Sequence, residues 1–155
     1  MARRNPEADI RSSGLRCTAQ RIAVLTVLRE QARHLRVEEV SELVRSRIAV
    51  ISGQAVYDAL AALVSVGLAR RIEPAGSPAL FEARAGDNHH HVVCRHCGTA
   101  ADVDCVASAP CLDASSTTGY VIDEAEITFW GICPACQQQP DTGTTVRNTK
   151  EPSNG

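Results

Sequence analysis

The sequence predicts an α+β chain in which a winged helix-turn-helix domain precedes a smaller half rich in β-strands and metal ligands. Three amphipathic helical segments and a β-hairpin pattern fill the first half, and two C-x-x-C pairs mark the second. Charge divides in the same way. Residues 1–73 carry twelve arginines and eight acidic residues (+4), whereas residues 74–155 carry four basic and ten acidic residues (−6). This asymmetry indicates that the halves meet different partners.

The three helices are predicted from apolar residues that recur at helical spacing. The first spans residues 18–31 with Thr18 as its N-cap, and the second spans 37–48. The third begins after the N-cap Ser52 and ends at Gly67. The inward positions are Ile22, Val24, Leu25 and Leu28, then Val40, Leu43, Val44 and Ile48, then Val56, Leu60, Leu63 and Val64.

Two short β-like runs, residues 68–74 and 78–83, flank the turn-forming sequence PAGS and predict a hairpin. Three helices followed by a hairpin are typical of a winged helix-turn-helix, whose last helix enters the DNA major groove. A small helical domain with a hairpin and no DNA-binding role is the alternative.

The exposed face of the third helix offers Ser52, Gln54 and Tyr57 as candidate DNA contacts. Gln and Tyr can touch base edges or phosphates, whereas Asp58 would repel phosphate unless it is paired or aimed at a cytosine amine. The helix has no Lys or Arg, so positive charge must come from flanking residues such as Arg16.

The two C-x-x-C pairs predict a structural zinc site. Cys94 and Cys97 form one pair, Cys133 and Cys136 form the other, and 35 residues separate them. Tetrahedral zinc favours four thiolates, and a two-residue gap lets one turn direct two sulfurs at one ion. A disulfide framework or a redox dithiol is the alternative.

A second candidate site surrounds the run of three histidines at residues 89–91. In a strand, His89 and His91 point to the same side, so both imidazoles can face one ion. Glu82 closes the hairpin, Asp102 follows the first cysteine pair, and His34 lies between the first two helices. Nitrogen and carboxylate ligands suit Fe(II), Mn(II) or Zn(II). A surface histidine cluster without function is the alternative.

The predicted domain boundaries follow these features. Residues 1–84 form the winged-helix domain, 85–88 a linker, 89–138 the zinc-containing domain and 139–155 a polar, disordered tail. Within the second domain, the alternating run at residues 120–130 predicts a strand. Pairing of this strand with its copy in a second chain would explain its apolar face.

The sequence shows no membrane-spanning or secretory segment. No apolar run approaches the roughly 18 residues of a transmembrane helix, and no signal-peptide core follows the basic start. We therefore expect a cytoplasmic protein without a membrane partner, in which cysteines serve as metal ligands or redox sensors. A metal-dependent hydrolase could use similar ligands, but no recognised catalytic motif is present. We expect neither enzyme activity nor a small-molecule substrate.

Four segments together resemble the ferric uptake regulator (Fur) family: GLRCTAQR at 14–21, AVYDALAALVSVGL at 55–68, LFEARAGDNHHHVVCRHCG at 80–98 and CPAC at 133–136. The sequences AVYDAL, GDNHHHVVC and DVDC further resemble the family's FurA branch, which is associated with catalase-peroxidase genes. The resemblance covers about residues 10–138.

This resemblance implies a homodimeric repressor of double-stranded operator DNA, with an N-terminal winged helix and a C-terminal α/β dimerisation domain. By motif, the structural zinc ligands are Cys94, Cys97, Cys133 and Cys136. The implied ligands of a regulatory Fe(II), or of Mn(II) or Zn(II), are His34, Glu82, His89, His91 and Asp102. Tyr57 and Arg16 match DNA-contacting positions. Oxidative-stress control fits the FurA branch, and an iron- or zinc-uptake regulator that responds to metal sufficiency alone is the alternative.

The chain departs from the family pattern at several positions. The usual T-V-Y-R of the recognition helix is A-V-Y-D here, so Ala55 and Asp58 prevent a direct transfer of the family's operator. Ala125 replaces a histidine that many members carry before the third cysteine, which disfavours a third metal site of the usual composition. Cys17, Cys105 and Cys111 are additional thiols, serving either packing or oxidant sensing.

Overall fold

The computed structural model describes residues 5–31, 33–83, 89–104, 119–121 and 127–138. The predicted linker 85–88, the tail 139–155, and positions Cys105, Cys111 and Ala125 lie outside these ranges. The described elements, in chain order, are α1 (Pro6–Ser12), α2 (Ala19–Gln31), β1 (Leu35–Arg36), α3 (Val37–Arg45), α4 (Gly53–Ser65), β2 (Arg70–Ile72), β3 (Leu80–Glu82), β4 (His89–Cys94), β5 (Ala100–Asp104), β6 (Thr128–Gly131) and α5 (Pro134–Gln137).

The short helix α1 was not predicted from the sequence. The Asn5 side chain caps it by accepting the Glu7 backbone N–H at 3.0 Å, and Pro6 occupies the first turn. An ion pair of 2.7 Å between Arg29 and Asp9 joins α1 to α2. Seven residues give too few helical repeats for the periodicity to be recognised.

The predicted boundaries of the third predicted helix, α4, are confirmed. Ser52 Oγ accepts the Ala55 N–H at 3.1 Å. At the other end, Gly67 has φ +70°, and the Leu68 N–H donates to the Leu63 carbonyl at 2.9 Å. This closing bond, with a glycine in the left-handed conformation, is the Schellman arrangement.

Helix α3 ends earlier than predicted. It begins at Val37, where the Arg36 backbone N–H donates to Glu39 Oε2 at 2.8 Å, and it ends at Arg45 rather than at residue 48. The Ile48 N–H still donates to the Val44 carbonyl at 2.9 Å, so the chain makes one further turn outside the regular helix.

The predicted hairpin is present as β2 and β3, which pair antiparallel with Ile72 opposite Leu80. The two-residue strand β1 adds to the other side of β3, giving the order β1-β3-β2. Three helices packed beside this small sheet form the winged helix that the sequence predicts.

A second sheet lies in the C-terminal part, with the order β5-β4-β6. Strands β4 and β5 pair antiparallel, whereas β4 and β6 pair parallel. Of the predicted strand 120–130, residues 128–130 form part of β6, but Tyr120, Val121 and Ile127 belong to no strand, so the prediction is wrong at these positions. Residues 122–126 lie outside the described ranges.

The described residues contain two apolar cores. The larger core is mainly helical and is aliphatic apart from Phe81, and it includes the buried apolar residues of α2, α3 and α4 together with Leu35 of β1. The smaller core joins the wing to the second sheet through Ile72, Leu80, Val93 and Ala100, with Trp130 against them. This second core fixes β3 against β4 and so determines the position of the histidines on β4. No helix in the described ranges is long and apolar enough to cross a membrane.

Candidate metal centres and DNA-reading helix

Five side chains from both halves of the chain converge on one centre. His34 precedes β1, Glu82 ends β3, and His89 and His91 lie on one face of β4. Asp102 is directly opposite His91 in the antiparallel register of β4 and β5. The period of two in a strand explains why the imidazoles at 89 and 91 share a side.

Glu82 lies at the middle of this cluster. Its Oε1 is 3.0 Å from His89 Nε2 and 3.2 Å from His91 Nε2, and its Oε2 is 3.2 Å from His34 Nε2. Asp102 Oδ1 lies 3.2 Å from His34 Nε2 and 3.7 Å from His89 Nε2. One carboxylate therefore contacts three imidazoles, and a second contacts two of them.

The cluster is buried except on the side of Asp102. His89 and His91 are at most 1% exposed and Glu82 is 4% exposed, whereas the Asp102 side chain is 31% exposed. Burial would raise the pKa of Glu82, but the imidazoles, led by His34, lower it to about 2. Burial lowers the pKa of His91, and nearby His34 and His89 add to this effect against the opposing contribution of Glu82. The lowered pKa values favour an ionised Glu82 carboxylate and a neutral His91 ring.

The donor set fits a divalent cation. One ligand atom from each of the five residues lies within 4.8 Å of all the others. Among the described residues, His34 Nε2 makes no geometrically acceptable hydrogen bond, although it lies 3.2 Å from oxygens of Glu82 and Asp102. A buried nitrogen held between two carboxylates without a hydrogen bond is placed as a metal ligand would be.

A cavity of about 540 Å³ opens onto this cluster. Its lining contains Arg29 and Arg33 of the helical part, the small residues Ala100 and Ala101 of β5, and Asp102. The exposed Asp102 edge and this cavity give solvent a direct route to the cluster.

The four cysteines of the C-x-x-C pairs form a second centre. Cys94 ends β4 and Cys97 follows in the turn, while Cys133 caps α5 and Cys136 lies within that helix. Their sulfurs also lie within 4.8 Å of one another. The Cys97 and Cys133 sulfurs are 3.7 Å apart, far beyond the disulfide length of about 2.05 Å.

The thiol electrostatics favour a cation at this centre. Burial raises the pKa of Cys94, but the backbone N–H groups of Cys133, Cys97 and His96 lower it to about 6. The adjacent Cys133 side chain, with burial and the other two cysteines, raises the pKa of Cys136 to about 12. Four sulfurs this close repel one another as thiolates, and a bound dication would offset that repulsion.

The candidate DNA contacts divide between two places. Ser52, Gln54 and Tyr57 lie at the N-terminal end of α4, where Gln54 is exposed and Tyr57 is 52% exposed. Ser52 Oγ already accepts the capping hydrogen bond. Arg16 lies outside α4, exposed in the segment before α2, where its carbonyl accepts a hydrogen bond from Arg21 Nη1 at 2.7 Å.

Sequence reasoning missed two contacts next to these sites. Gln54 Nε2 donates to Asp58 Oδ1 at 2.8 Å, a pairing that the i, i+4 spacing could have indicated. Arg36 Nη2 donates to the Cys97 carbonyl at 3.2 Å across 61 positions of sequence, for which no local signal exists.

Comparison with known proteins gives consistent matches over most of the chain. The sequence model of the ferric uptake regulator family matches residues 12–129. The transcriptional regulator FurA of Mycobacterium tuberculosis is 50% identical over 129 residues, covering 83% of this chain and 87% of that protein.

Two solved structures share the fold. The Helicobacter pylori ferric uptake regulator, described as having three functional metal-binding sites, aligns with a TM-score of 0.67 and 23% identity, covering 86% of this chain and 90% of that one. A zinc uptake regulator complexed with zinc and DNA aligns with a TM-score of 0.62 and 21% identity, covering 84% and 89%.

Proposed function

Because this chain belongs to the ferric uptake regulator family of metal-responsive transcription regulators, we propose that it represses transcription by binding operator DNA as a homodimer when its histidine–carboxylate cluster holds a divalent ion. A regulator of this family is not an enzyme. Because its proposed ligand is operator DNA, we place its action in the cytoplasm.

The single observation that carries this proposal is the origin of the five clustered side chains. His34 and Glu82 come from the winged-helix part, whereas His89, His91 and Asp102 come from the second sheet. When the ligands of one ion come from two parts of a chain, the ion binds more tightly to the form in which the two parts are closed together. Ion binding can shift the population only by its higher affinity for that closed form.

The chain's own residues prepare this switch. The buried Glu82, whose pKa lies far below its ordinary value, contacts three imidazoles, and burial lowers the pKa of His91, which favours the neutral form that binds a metal. A bound Fe(II), Mn(II) or Zn(II) would supply the positive charge that two clustered carboxylates favour. Closure would then fix the orientation of α4 relative to the second sheet.

The proposed DNA interface is the exposed N-terminal end of α4, formed by Ser52, Gln54 and Tyr57, with Arg16 as a flanking phosphate contact. The winged-helix fold and the arginine excess of residues 1–73 support this assignment. The shared fold with a zinc uptake regulator solved on DNA is consistent with it.

A homodimer is proposed because operator reading by a winged helix is commonly two-fold. Phe129 on β6 is 47% exposed, and within the described ranges β6 pairs on one side only, with β4. An exposed aromatic residue on an edge strand suits burial against a second copy.

We further propose that Cys94, Cys97, Cys133 and Cys136 bind a structural Zn(II). The four sulfurs come from β4, the following turn and α5, so one ion would join segments that the sequence separates. Zinc would supply cross-linking here and no regulation, since a closed four-thiolate site leaves no position for exchange.

Selection of bound DNA from a random duplex library, with Mn(II) or with a chelator, tests the proposal. We expect the chain to enrich a two-fold sequence only with Mn(II). His89→Ala should abolish that metal dependence and keep zinc content, while His96→Ala, at an exposed histidine outside the cluster, should behave as wild type. Enrichment that is equal with and without metal, or unchanged by His89→Ala, would contradict the proposed function.

The signal is proposed to be oxidative stress, with peroxide as the oxidant and catalase-peroxidase genes among the targets. The solvent route beside Asp102 supports this version, because His34 lines the cavity through which peroxide can enter. Peroxide would add one oxygen atom to the His34 or His89 ring and leave water, a reaction that ferrous iron promotes when bound. The alternative is a response to iron or zinc sufficiency alone.

Mass spectrometry of Fe(II)-loaded protein after peroxide separates these versions. A gain of one oxygen on the peptide of His34 or His89, with parallel loss of operator binding, supports peroxide sensing. Retention of both histidines and of DNA binding at low peroxide supports metal sufficiency. His96 serves as the internal control, since its peptide should stay unmodified in either case.

A further inference from the structure

We infer that Asp58 is a specificity-determining residue that orients the Gln54 amide so that Gln54 selects adenine in the operator. This inference rests on the proposed function, because it concerns how α4 would read a base. It assigns a role to an acidic residue that at first sight opposes DNA binding.

The two side chains are joined on the exposed face of α4. Gln54 Nε2 donates to Asp58 Oδ1 at 2.8 Å, one helical turn further along. The opposite face of α4 is locked into the core by Val56, Leu60 and Leu63, each at most 1% exposed. The helix therefore cannot rotate freely, and the pair keeps one direction relative to the winged-helix domain.

The chemistry of the pair determines which end of the amide faces Asp58. An ionised carboxylate only accepts hydrogen bonds, so the NH₂ group of Gln54, and not its carbonyl, must face Asp58. One N–H and the carbonyl oxygen of Gln54 are then presented in a defined arrangement. Without Asp58, the Gln54 amide could rotate so that its NH₂ group and its carbonyl exchange places, at little cost in free energy.

That arrangement matches adenine. In the major groove adenine offers the N7 acceptor and the N6 donor, which pair with one amide N–H and one amide carbonyl. Guanine presents two acceptors, N7 and O6, and its O6 would face the Gln54 carbonyl. An amide of fixed orientation should therefore prefer adenine to guanine, by roughly tenfold for a good bidentate pair.

The charge of Asp58 has a separate, sequence-independent effect. Helix α4 contains no Lys or Arg, so no cation of the helix itself neutralises this carboxylate. Near phosphates it should weaken binding to every sequence to a similar degree. Asp58 thus lowers general affinity and raises base selectivity, which is a common way to reject wrong partners.

The experiment compares wild type, Gln54→Ala, Asp58→Ala and Asp58→Asn in selection from a random duplex library with Mn(II). Affinities are then measured for the enriched operator and for its adenine-to-guanine variants. Asp58→Asn keeps an acceptor oxygen but removes the charge. Circular dichroism melting verifies that each variant is folded, as expected for exposed positions.

In each half-site we expect a preference for adenine at one position, and Gln54→Ala should abolish this preference. Asp58→Ala should reduce it from roughly tenfold to about two- or threefold, and a double variant that combines Gln54→Ala with Asp58→Ala should show no preference, as Gln54→Ala alone does. Asp58→Asn should retain most of the preference and bind all sequences more tightly.

An unchanged adenine preference in Asp58→Ala, or a preference that survives Gln54→Ala, would overturn the inference while leaving the proposed function intact. Failure of wild type to enrich any sequence would instead refute the proposed function, and this inference with it.

Discussion

Arg36 Nη2 donates a hydrogen bond to the backbone carbonyl of Cys97, 3.2 Å away. Arg36 follows His34 by two residues in the winged-helix part, and Cys97 belongs to the cysteine turn. The contact therefore connects the segment that carries one candidate regulatory ligand to the segment that carries two candidate zinc ligands. It links the two parts of the chain in addition to the five-residue cluster and the smaller apolar core.

Arg36→Ala is predicted to weaken regulatory metal binding without loss of zinc. Removal of one interdomain hydrogen bond destabilises the closed form by about 1 kcal/mol, which corresponds to roughly fivefold in apparent affinity. Isothermal titration of Mn(II) and measurement of zinc by mass spectrometry test this. Arg45→Ala, at an exposed arginine of α3, serves as the control and should leave both values unchanged. Equal Mn(II) affinity in all three proteins would contradict the prediction.

Gly98→Ala should disrupt the same contact from the other side. Gly98 has φ +73°, and a Cβ there would lie 2.8 Å from Arg36 Nη2. Gly76 has a similar φ of +75°, and a Cβ there would meet no atom of the described chain within 4 Å, so Gly76→Ala is a matched control. Backbone strain should lower the free energy of unfolding of both variants by about 1 kcal/mol. Gly98→Ala should lower it by roughly 1 kcal/mol more, because it also displaces the Arg36 side chain from its hydrogen bond.

Urea unfolding measures this difference. In an Arg36→Ala background the two glycine substitutions should cost the same, because the side chain that Gly98→Ala displaces is gone. A larger cost for Gly98→Ala that persists in that background would show that Arg36 is not the cause.

Cys97→Ser is predicted to remove zinc and to unfold much of the C-terminal part. A zinc ion bound by the four sulfurs would hold β4 and α5 together, and apparent zinc binding energies of about 10–16 kcal/mol make such ions part of folding. Cys17→Ser is the control, since Cys17 lies outside the cluster and is half-buried. Metal content and circular dichroism melting should show one zinc per chain in Cys17→Ser and a strongly lowered melting temperature in Cys97→Ser. Full zinc content in Cys97→Ser would contradict the four-thiolate assignment.

Glu39 should titrate below its ordinary range. Burial raises the pKa of Glu39, but the Arg36 backbone N–H and the Arg33 guanidinium, bonded at 2.8 and 2.9 Å, lower it overall. A lowered folded pKa means that the ionised form adds stability above pH 4.5, and that this stability is lost as the pH falls through the folded value.

Carboxyl chemical shifts followed by nuclear magnetic resonance against pH test this, and the midpoint should rise in Arg33→Ala. Glu39→Gln keeps an acceptor for the Arg36 N–H, so its cost near pH 7 should be only about 0.5 kcal/mol, as expected for a partly exposed ion pair. That cost should disappear as the pH falls through the lowered folded pKa of Glu39. A titration midpoint of the Glu39 carboxyl at or above pH 4.5 in the wild-type protein would contradict the prediction.

The parts of this fold that sequence could predict are those determined by short-range chemistry. Ser52 and Gly67 define α4 because capping and left-handed backbone depend on adjacent residues alone. Strand alternation predicts His89 and His91 on one side of β4, because it depends only on their spacing of two residues. His34 and Asp102 were candidates by their chemistry, and only the resemblance assigned them to the same ion as these histidines, because no spacing rule relates such distant positions.

The parts that escaped prediction depend on distant partners or on very short segments. Strand β1 has two residues and exists only because β3 pairs with it, with Leu35 opposite Phe81. Arg36 reaches Cys97 only after both sheets have packed on the core around Leu80 and Val93. Such contacts are consequences of the assembled fold, and their residues carry no local signature.

Glu82→Gln is predicted to damage the regulatory site far more than Asp102→Asn does. The Glu82 side chain is 5% exposed and contacts three imidazoles, whereas that of Asp102 is 31% exposed and contacts two. Loss of charge at the buried centre cannot be compensated by water, but at the open edge a water molecule can replace a ligand oxygen. Since loss of even outer-sphere partners costs roughly 10–100-fold in affinity, we expect roughly 100-fold or more for Glu82→Gln and about tenfold for Asp102→Asn. Mn(II) titration followed by electron paramagnetic resonance measures both, with zinc content as the internal control. Equal losses of Mn(II) affinity in the two variants would show that burial of the ligand does not determine its contribution to metal binding.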